Sequence, residues 1–417
     1  MTVLEYLIKE GKRVSAPCGG NGTCKGCLVN VKMPSGEMKE LLACQTEYVL
    51  GMEITVPEEI ISVAGANEAL GSYDAEGFVA VDIGTTTIAM ALVDGKTGKI
   101  LEEYGSTNSQ RAYGSDVISR IKASNEGKKE ELRSLVLKDI KRGLDKFTGD
   151  YEKIVVSGNT TMIHLLLGMN CEKLGVFPFV SENLTPEIQL IDELSDKPVH
   201  FIPGISAFVG GDIVSGLLTF KNDGYSMLVD LGTNGEMVLW NEDHYFVTSA
   251  SAGPAFEECR LSYGSETINE LARLLDEGVI DESGLIEDEG KCSFSGEDIA
   301  KLQLAKSAIR TGIDLLMRKT SIREDEIKHL YISGGFGNHL SVKAATRIGL
   351  IPKELEVVCQ ICENTSLEGA IAYGLCADIK EAEAKEIIEK AIKVEIANLP
   401  EFNDLYASNM MFTAEGF

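Results

Sequence analysis

Phe78-Val79-Ala80-Val81-Asp82-Ile83-Gly84-Thr85-Thr86-Thr87 is an apolar run that gives way to an aspartate, a glycine and three threonines. A continuous apolar run of this length reads as a buried strand, and Ala91-Leu92-Val93 supplies a second strand beyond the turn. Such a turn suits a phosphate group. The glycine permits close backbone approach, the threonine hydroxyls and N–H groups donate to phosphate oxygens, and the aspartate can hold hydrated magnesium. The alternative is an ordinary hairpin turn. The same order returns at Met227-Leu228-Val229-Asp230-Leu231-Gly232-Thr233-Asn234-Gly235-Glu236. A third element, Leu330-Tyr331-Ile332-Ser333-Gly334-Gly335-Phe336-Gly337-Asn338, reads as a strand, a glycine pair and the start of a helix.

Toward the N-terminus lies Pro17-Cys18-Gly19-Gly20-Asn21-Gly22-Thr23-Cys24-Lys25-Gly26-Cys27, with a fourth cysteine at Cys44. Thiolates at C-x5-C-x2-C spacing can wrap a compact iron–sulfur centre, and the glycines bring N–H groups near its sulfides. Zinc is the rival ligand. Zinc sites usually show two C-x2-C pairs or Cys/His pairs, and no second pair or histidine lies near this loop. Before this loop, Thr2 and Glu5 form a capping box for a helix with Val3, Leu4, Leu7 and Ile8 on its apolar face, ended by Gly11. After it, Leu28–Met33 and Met52–Val56 read as strands around a turn at Pro34–Glu37. A small domain over 1–58 and a linker over 59–76 follow from this pattern.

The remaining segments alternate between strand and helix. Ser115–Phe147 is helical by periodicity. Tyr151–Val156 is a strand leading to Ser157-Gly158-Asn159-Thr160-Thr161 and a helix through Leu167. Phe201–Ile205 leads to Gly210-Gly211-Asp212. Ser295 caps a long helix through about Lys319, Leu355–Ile361 reads as a strand, and Asn364-Thr365-Ser366 opens a helix over Leu367–Ile379.

The 417 residues suffice for two or three domains. Asp and Glu number 65 against 39 Lys and Arg, a net charge of −26. That field disfavours nucleic acid and anionic membranes as partners and suits a partner with a basic docking face. With no long apolar run and no basic-then-apolar leader pattern, the ten cysteines are expected reduced in a cytoplasmic protein.

The cysteine pattern, down to Leu41-Leu42-Ala43-Cys44-Gln45-Thr46, resembles the 2Fe–2S ferredoxins of the adrenal and plant superfamily. It departs from them in starting at the helix, without the usual preceding β-hairpin. The two Asp-x-Gly-Thr hairpins and the strand–Gly-Gly–helix element, in that order, resemble the actin/heat-shock-chaperone/sugar-kinase superfamily. The expected fold is therefore α/β with a small α+β domain: a shortened β-grasp ferredoxin, then two ribonuclease-H-like halves of an actin-like ATPase at 77–222 and 223–417. Together the parts resemble the reductive activators of corrinoid proteins, as do Gly114-Ser115-Asp116-Val117-Ile118-Ser119-Arg120, Val156–Met162 and Ser251-Ala252-Gly253-Pro254-Ala255-Phe256-Glu257. The family's extra domain between ferredoxin and ATPase is here only a linker. This resemblance implies that an electron from an unknown low-potential donor passes through the cluster to a Co(II) corrinoid, restoring Co(I), driven by ATP. It also implies a homodimer.

On this reading Cys18, Cys24, Cys27 and Cys44 hold the cluster. Asp82, Gly84, Thr85, Thr86 and Thr87 in one half, and Asp230, Gly232, Thr233 and Asn234 in the other, face the phosphates and Mg2+. Gly334, Gly335 and Asn338 meet adenosine, or form a close-packed turn. Lys306 flanks adenosine or is solvated. Asp212 orients magnesium or the attacking water, or is an N-cap. Asp116, Asn159 and Glu257 are weaker candidates, with capping and surface roles as alternatives. Cys359 and Cys362 fall on opposite faces of a strand and read as buried structural residues. Three other functions use the same parts: ATP-dependent electron donation to another iron–sulfur or radical enzyme, a redox-sensing ATP-binding clamp, and a small-metabolite kinase.

Overall fold

A computed structural model of the protein describes residues 1–10, 12, 27–55, 71–256, 264–335 and 340–413. Cys18, Cys24, Glu257, Asn338 and most of the expected linker lie outside these residues. The chain forms two compact units, Met1–Ser215 with Ser366–Glu381 and Gly216–Thr365 with Ala382–Phe417. Residues 366–381, expected in the second half, thus belong to the first unit.

At the N-terminus, Thr2 caps helix α1 (Val3–Lys9) with Glu5 completing the capping box. Strand β1 (Leu28–Lys32) pairs antiparallel with β2 (Met38–Leu42) on one side and β3 (Glu53–Thr55) on the other. Alternation along β1 buries Val29 and Val31, which pack with Val3, Leu4 and Leu7 of α1.

The rest of the first unit is built on β4 (Phe78–Ile83), β5 (Thr87–Val93), β6 (Ile100–Thr107), helices α2 (Val117–Ala123) and α3 (Lys129–Leu144), β7 (Lys153–Gly158), α4 (Thr160–Leu167), β8 (Gln189–Leu190), β9 (Pro198–Phe201) and α5 (Gly211–Leu217). Its sheet has the order β6-β5-β4-β7-β9-β8. An antiparallel meander, β4 to β6, is followed by β7 and β9 added in parallel. The stretch expected to be helical over 115–147 holds α2 and α3. Asp116 caps α2, and Gly127, at φ 92°, breaks the run before α3.

The second unit repeats the plan with β10 (Ser226–Leu231), β11 (Gly235–Trp240), β12 (Tyr245–Ala250), α6 (Gly264–Asp276), α7 (Gly296–Thr320), β13 (His329–Ser333), α8 (Val342–Arg347) and β14 (Cys359–Ile361). Helices α9 (Thr365–Leu375) and α10 (Ala377–Lys390), strand β15 (Ala391–Lys393) and helix α11 (Phe402–Ser408) complete the chain. The second sheet runs β14-β13-β10-β11-β12-β15, again an antiparallel meander with parallel strands added beside its first member. β4 and β10 share one burial pattern, with every residue buried except the aspartate. Covered on both faces, such strands read as unbroken apolar runs.

One expectation fails locally. Leu355–Ile361 is strand only over its last three residues, because Lys353–Val358 closes into a 3-10 turn after Pro352. The helix start expected directly after the glycine pair falls at 336–339, outside the described residues; α8 begins further on, at Val342, with Ser341 as its cap. Among the described residues, no helix is long and apolar enough to cross a membrane.

Candidate functional site

Each unit presents its aspartate at the end of the meander's first strand. In the first, Asp82 pairs with Ala89 across the hairpin and with Ser157 on the parallel neighbour. Gly84 is required at the turn, since a Cβ there would stand 2.8 Å from the Thr87 carbonyl oxygen. The turn is gripped from behind. Asn108 Nδ2 donates to Gly84 O at 2.9 Å, the Asn108 N–H donates to Thr86 O at 2.9 Å, and the buried Arg120 guanidinium donates to Thr85 O and to Gly114 O. These bonds fix the carbonyls of Gly84, Thr85 and Thr86 and with them the course of the loop.

Asn159 joins the loop directly: its Nδ2 donates to Thr85 Oγ1 at 3.2 Å while its Oδ1 caps α4 through the Met162 N–H. It is therefore both a cap and a neighbour of the candidate phosphate turn. Asp116 is held as the cap of α2 by the Ser119 N–H at 2.8 Å. Asp212 stands in the first turn of α5, its Oδ1 accepting from the Ile213 N–H at 2.9 Å. Gly210 and Gly211 pack backbone to backbone on Asn159–Thr160 and Ile202, where added Cβ atoms would fall at 2.5 and 2.3 Å. That contact seats the start of α5 beside the end of β7.

The second unit has the corresponding parts. Asp230 pairs with Glu236 across its hairpin and with Ser333 on β13, and the Gly232 N–H donates to Asn234 O at 3.0 Å. Ser333 Oγ donates to Asp230 Oδ2 at 2.6 Å. Burial pushes the Asp230 carboxyl above the ordinary carboxylate range, and the Ser333 hydroxyl partly offsets this. A carboxylate so placed gains from a cation, which makes it chemically suited to magnesium and its water. Thr233 is buried.

The glycine pair divides its work. Gly334, at φ 98°, would bring a Cβ within 2.3 Å of Leu231 O, so its glycine is explained by close packing on the hairpin strand. Among the described residues nothing lies within 4 Å of the Cβ position of Gly335.

Lys306, read as a neighbour of adenosine, is buried in α7, and its ammonium donates to the carbonyls of Asn409 and Met411, each at 2.6 Å. Burial, and secondarily the Arg310 charge, lowers its pKa to about 7. The same helix binds the C-terminal segment through Gln303, Ser307 and Thr311. The structure thus turns Lys306 toward the chain's own tail.

In the N-terminal region Cys27 and Cys44 are buried and adjacent. The Cys44 N–H donates to Cys27 Sγ at 3.4 Å, and Gln45 Nε2 lies 3.5 Å from Cys44 Sγ. N–H donation to a cysteine sulfur suits a thiolate ligand of an anionic cluster. Among the described residues, no group of three or more His, Cys, Asp or Glu could hold a metal ion. Cys359 and Cys362 are only half-buried, and burial raises the Cys359 thiol to about 12. A thiol held so far from ionisation is a poor nucleophile or ligand.

The residues sequence reasoning missed are the serines behind the aspartates. Ser157 and Ser333 each close an apolar strand as Ser-Gly, a repeated signal whose meaning depends on strand register.

The RACo middle region matches residues 78–223, and the C-terminal domain of RACo, the ASKHA domain, matches residues 224–271 and 276–417. The chain is 27% identical to the corrinoid activation enzyme RamQ of Eubacterium limosum, over 98% of this chain and 96% of that one. That alignment runs over 574 positions, against 417 residues here, so the relative carries sequence without a counterpart in this chain. The chain is 23% identical to a Co(II) methylated amine-specific corrinoid protein reductase of Methanosarcina barkeri, over 81% and 77% of the two chains. A solved structure, described as a reductive activator for corrinoid, iron–sulfur protein, matches with a TM-score of 0.74 at 25% identity, covering 99% of this chain and 95% of that one.

Proposed function

Because the chain belongs to the family of reductive activators of corrinoid proteins, we propose that it passes one electron to the Co(II) corrinoid of a methyl-transfer protein, restoring Co(I), and that ATP drives the step. The observation that carries this reading is the duplicated hairpin: in each unit an aspartate at a Gly-Thr turn, its carboxylate held by a serine hydroxyl.

Cys18, Cys24, Cys27 and Cys44 would hold a 2Fe–2S cluster in a small ferredoxin-like domain. Bound there, it supplies a one-electron carrier near about −400 mV. The Cys44 N–H, directed at Cys27 Sγ, would stabilise thiolate charge there. Asp82 and Asp230 would hold hydrated Mg2+, and the hydroxyls and N–H groups of Thr85, Thr86, Thr87, Thr233 and Asn234 would take the phosphates. Gly335 and Asn338 would lie against adenosine. Asp212 would orient the water that attacks the terminal phosphate.

Co(I) is harder to reach than a reduced plant-type cluster. Each tenfold shift of a one-electron equilibrium is about 59 mV, or about 1.4 kcal/mol. A nucleotide that favours one conformation by a few kcal/mol would supply several such factors. ATP therefore acts by changing how the protein grips the corrinoid protein, and no phosphate is transferred to the acceptor. The net charge of −26 suits an acceptor with a basic docking face, in a cytoplasmic setting away from membranes and nucleic acid. A homodimer and a low-potential donor complete the proposal.

The test is anaerobic. Chemically reduced, cluster-reconstituted protein should show a spin-half EPR signal near one per chain. Mixed with a Co(II) corrinoid protein, it should give the Co(I) absorption band over many turnovers with ATP, and not without nucleotide. Full multiple-turnover reduction both without nucleotide and with a non-hydrolysable analogue would sink the coupling.

A further inference from the structure

The two units hold their aspartates differently. Asp230 is bonded directly by its in-register partner Ser333. Asp82 has Ser157 in register, and Ser366 Oγ donates to its Oδ1 at 2.7 Å. Ser157 Oγ lies 2.8 Å from Ser366 Oγ. An ionised carboxylate only accepts, so the Ser366 proton is directed to Asp82 and Ser157 donates to Ser366. The three groups form a relay with one sense: Ser157 to Ser366 to Asp82.

Ser366 is separated from Asp82 by 284 positions and lies in the first turn of α9. Its carbonyl accepts from Ser215 Oγ at 2.7 Å. Ser157 and Ser215 are 0% exposed and Ser366 8%. The chain leaves the first unit after Ser215 and re-enters it at Ser366, so this bond ties the exit to the re-entry. Gly369, one turn further along α9, approaches so closely that a Cβ would fall 1.9 Å from Ser215 O.

We propose that Ser366 is a positioning residue: it fixes the orientation of the Asp82 carboxylate toward the magnesium of a bound nucleotide. Asp230 has the same bond from within its own sheet. The inference rests on the nucleotide reading given above.

The test is Mg2+-dependent binding of a fluorescent ATP analogue to the full-length, cluster-loaded protein, with thermal unfolding in parallel. Ser366→Ala should raise the half-saturating Mg2+ concentration between about tenfold and a hundredfold, as loss of an outer-shell partner does. Binding without Mg2+ should stay within about twofold, since the phosphate donors are untouched. Ser366→Thr should restore the wild-type value. Ser215→Ala, which removes a bond from the same cluster away from the carboxylate, should lower thermal stability and leave the Mg2+ dependence unchanged. An unchanged Mg2+ dependence in Ser366→Ala, or an equal shift in Ser215→Ala, overturns the proposal. If Ser366→Ala fails to fold, Ser157→Ala carries the same test: a raised Mg2+ requirement supports the relay, an unchanged one overturns it. Wild-type protein with no Mg2+-dependent nucleotide binding overturns the nucleotide reading itself, and that failure appears before any substitution.

Discussion

Gly334 and Gly335 are adjacent and chemically identical, and the structure predicts opposite outcomes for adding one methyl group. At Gly334 the new Cβ would stand 2.3 Å from Leu231 O and 2.6 Å from both Leu231 C and Leu231 N, at a φ of 98°. The neighbour is backbone in the middle of the aspartate hairpin, so no side chain can swing away. Left-handed strain costs about 1–3 kcal/mol, and overpacking typically about 1–3 kcal/mol more. A loss of about 2–6 kcal/mol is expected, a large share of the usual 5–15 kcal/mol of net stability. At about 2–4 °C per kcal/mol for a domain of this size, the melting midpoint should fall by roughly 4–24 °C. At Gly335 the Cβ position has no neighbour within 4 Å among the described residues, so Ala should alter stability by less than about 1 kcal/mol. The assay is urea and thermal unfolding followed by fluorescence of Trp240, the sole tryptophan, buried on β11 of the same sheet. Nucleotide titration of the folded variants then separates packing from recognition: Gly335→Ala should weaken ATP binding at unchanged stability. A Gly334→Ala protein that melts within a degree of wild type, or a Gly335→Ala protein that is the less stable of the two, would refute this division of roles.

Asp230 carries a raised carboxyl pKa, so the folded state binds more protons than the unfolded one as pH rises through that window, and stability falls there. Asp230→Asn should therefore melt higher than wild type at pH 8 without magnesium, with the difference shrinking toward pH 4, while losing Mg2+-dependent nucleotide binding. Lys306→Met should cost about 1–3 kcal/mol by leaving two buried carbonyls unpaired, and limited proteolysis should then cut the C-terminal segment sooner; nucleotide affinity should stay within about twofold. With its pKa lowered to about 7, Lys306 binds a proton less readily in the folded state, so its contribution raises stability as pH climbs from about 7 toward the ordinary lysine range. That rise should vanish in the Met variant, and guanidinium melts across pH 6–10 would measure it. Cys27→Ser should abolish the reduced-protein EPR signal while leaving ATP binding intact, a result that a cluster held by other residues would contradict.

What the amino-acid sequence determined by itself is local. The capping box at Thr2 and Glu5, both Asp-x-Gly-Thr hairpins and the strand before Gly334 are set by side-chain type over a few residues. Their hydrogen bonds close within one turn or one strand pair, so periodicity and glycine placement suffice to read them. The order of the three elements carried the family, which the matching regions bear out. The cluster reading rests on cysteine spacing, and two of its four cysteines lie outside the described residues. Tertiary structure decided the rest. Lys306 looks the same in sequence whether it faces a ligand, water or the tail; only the packing of 409–411 on α7 turns its ammonium to those carbonyls. Strand register sets Ser333 against Asp230 and Ser157 beside Asp82, which a one-residue slip would reverse. Ser366 meets Asp82 across 284 residues because α9 returns to the first unit. No local pattern encodes such a contact, since its cause is where the chain comes back.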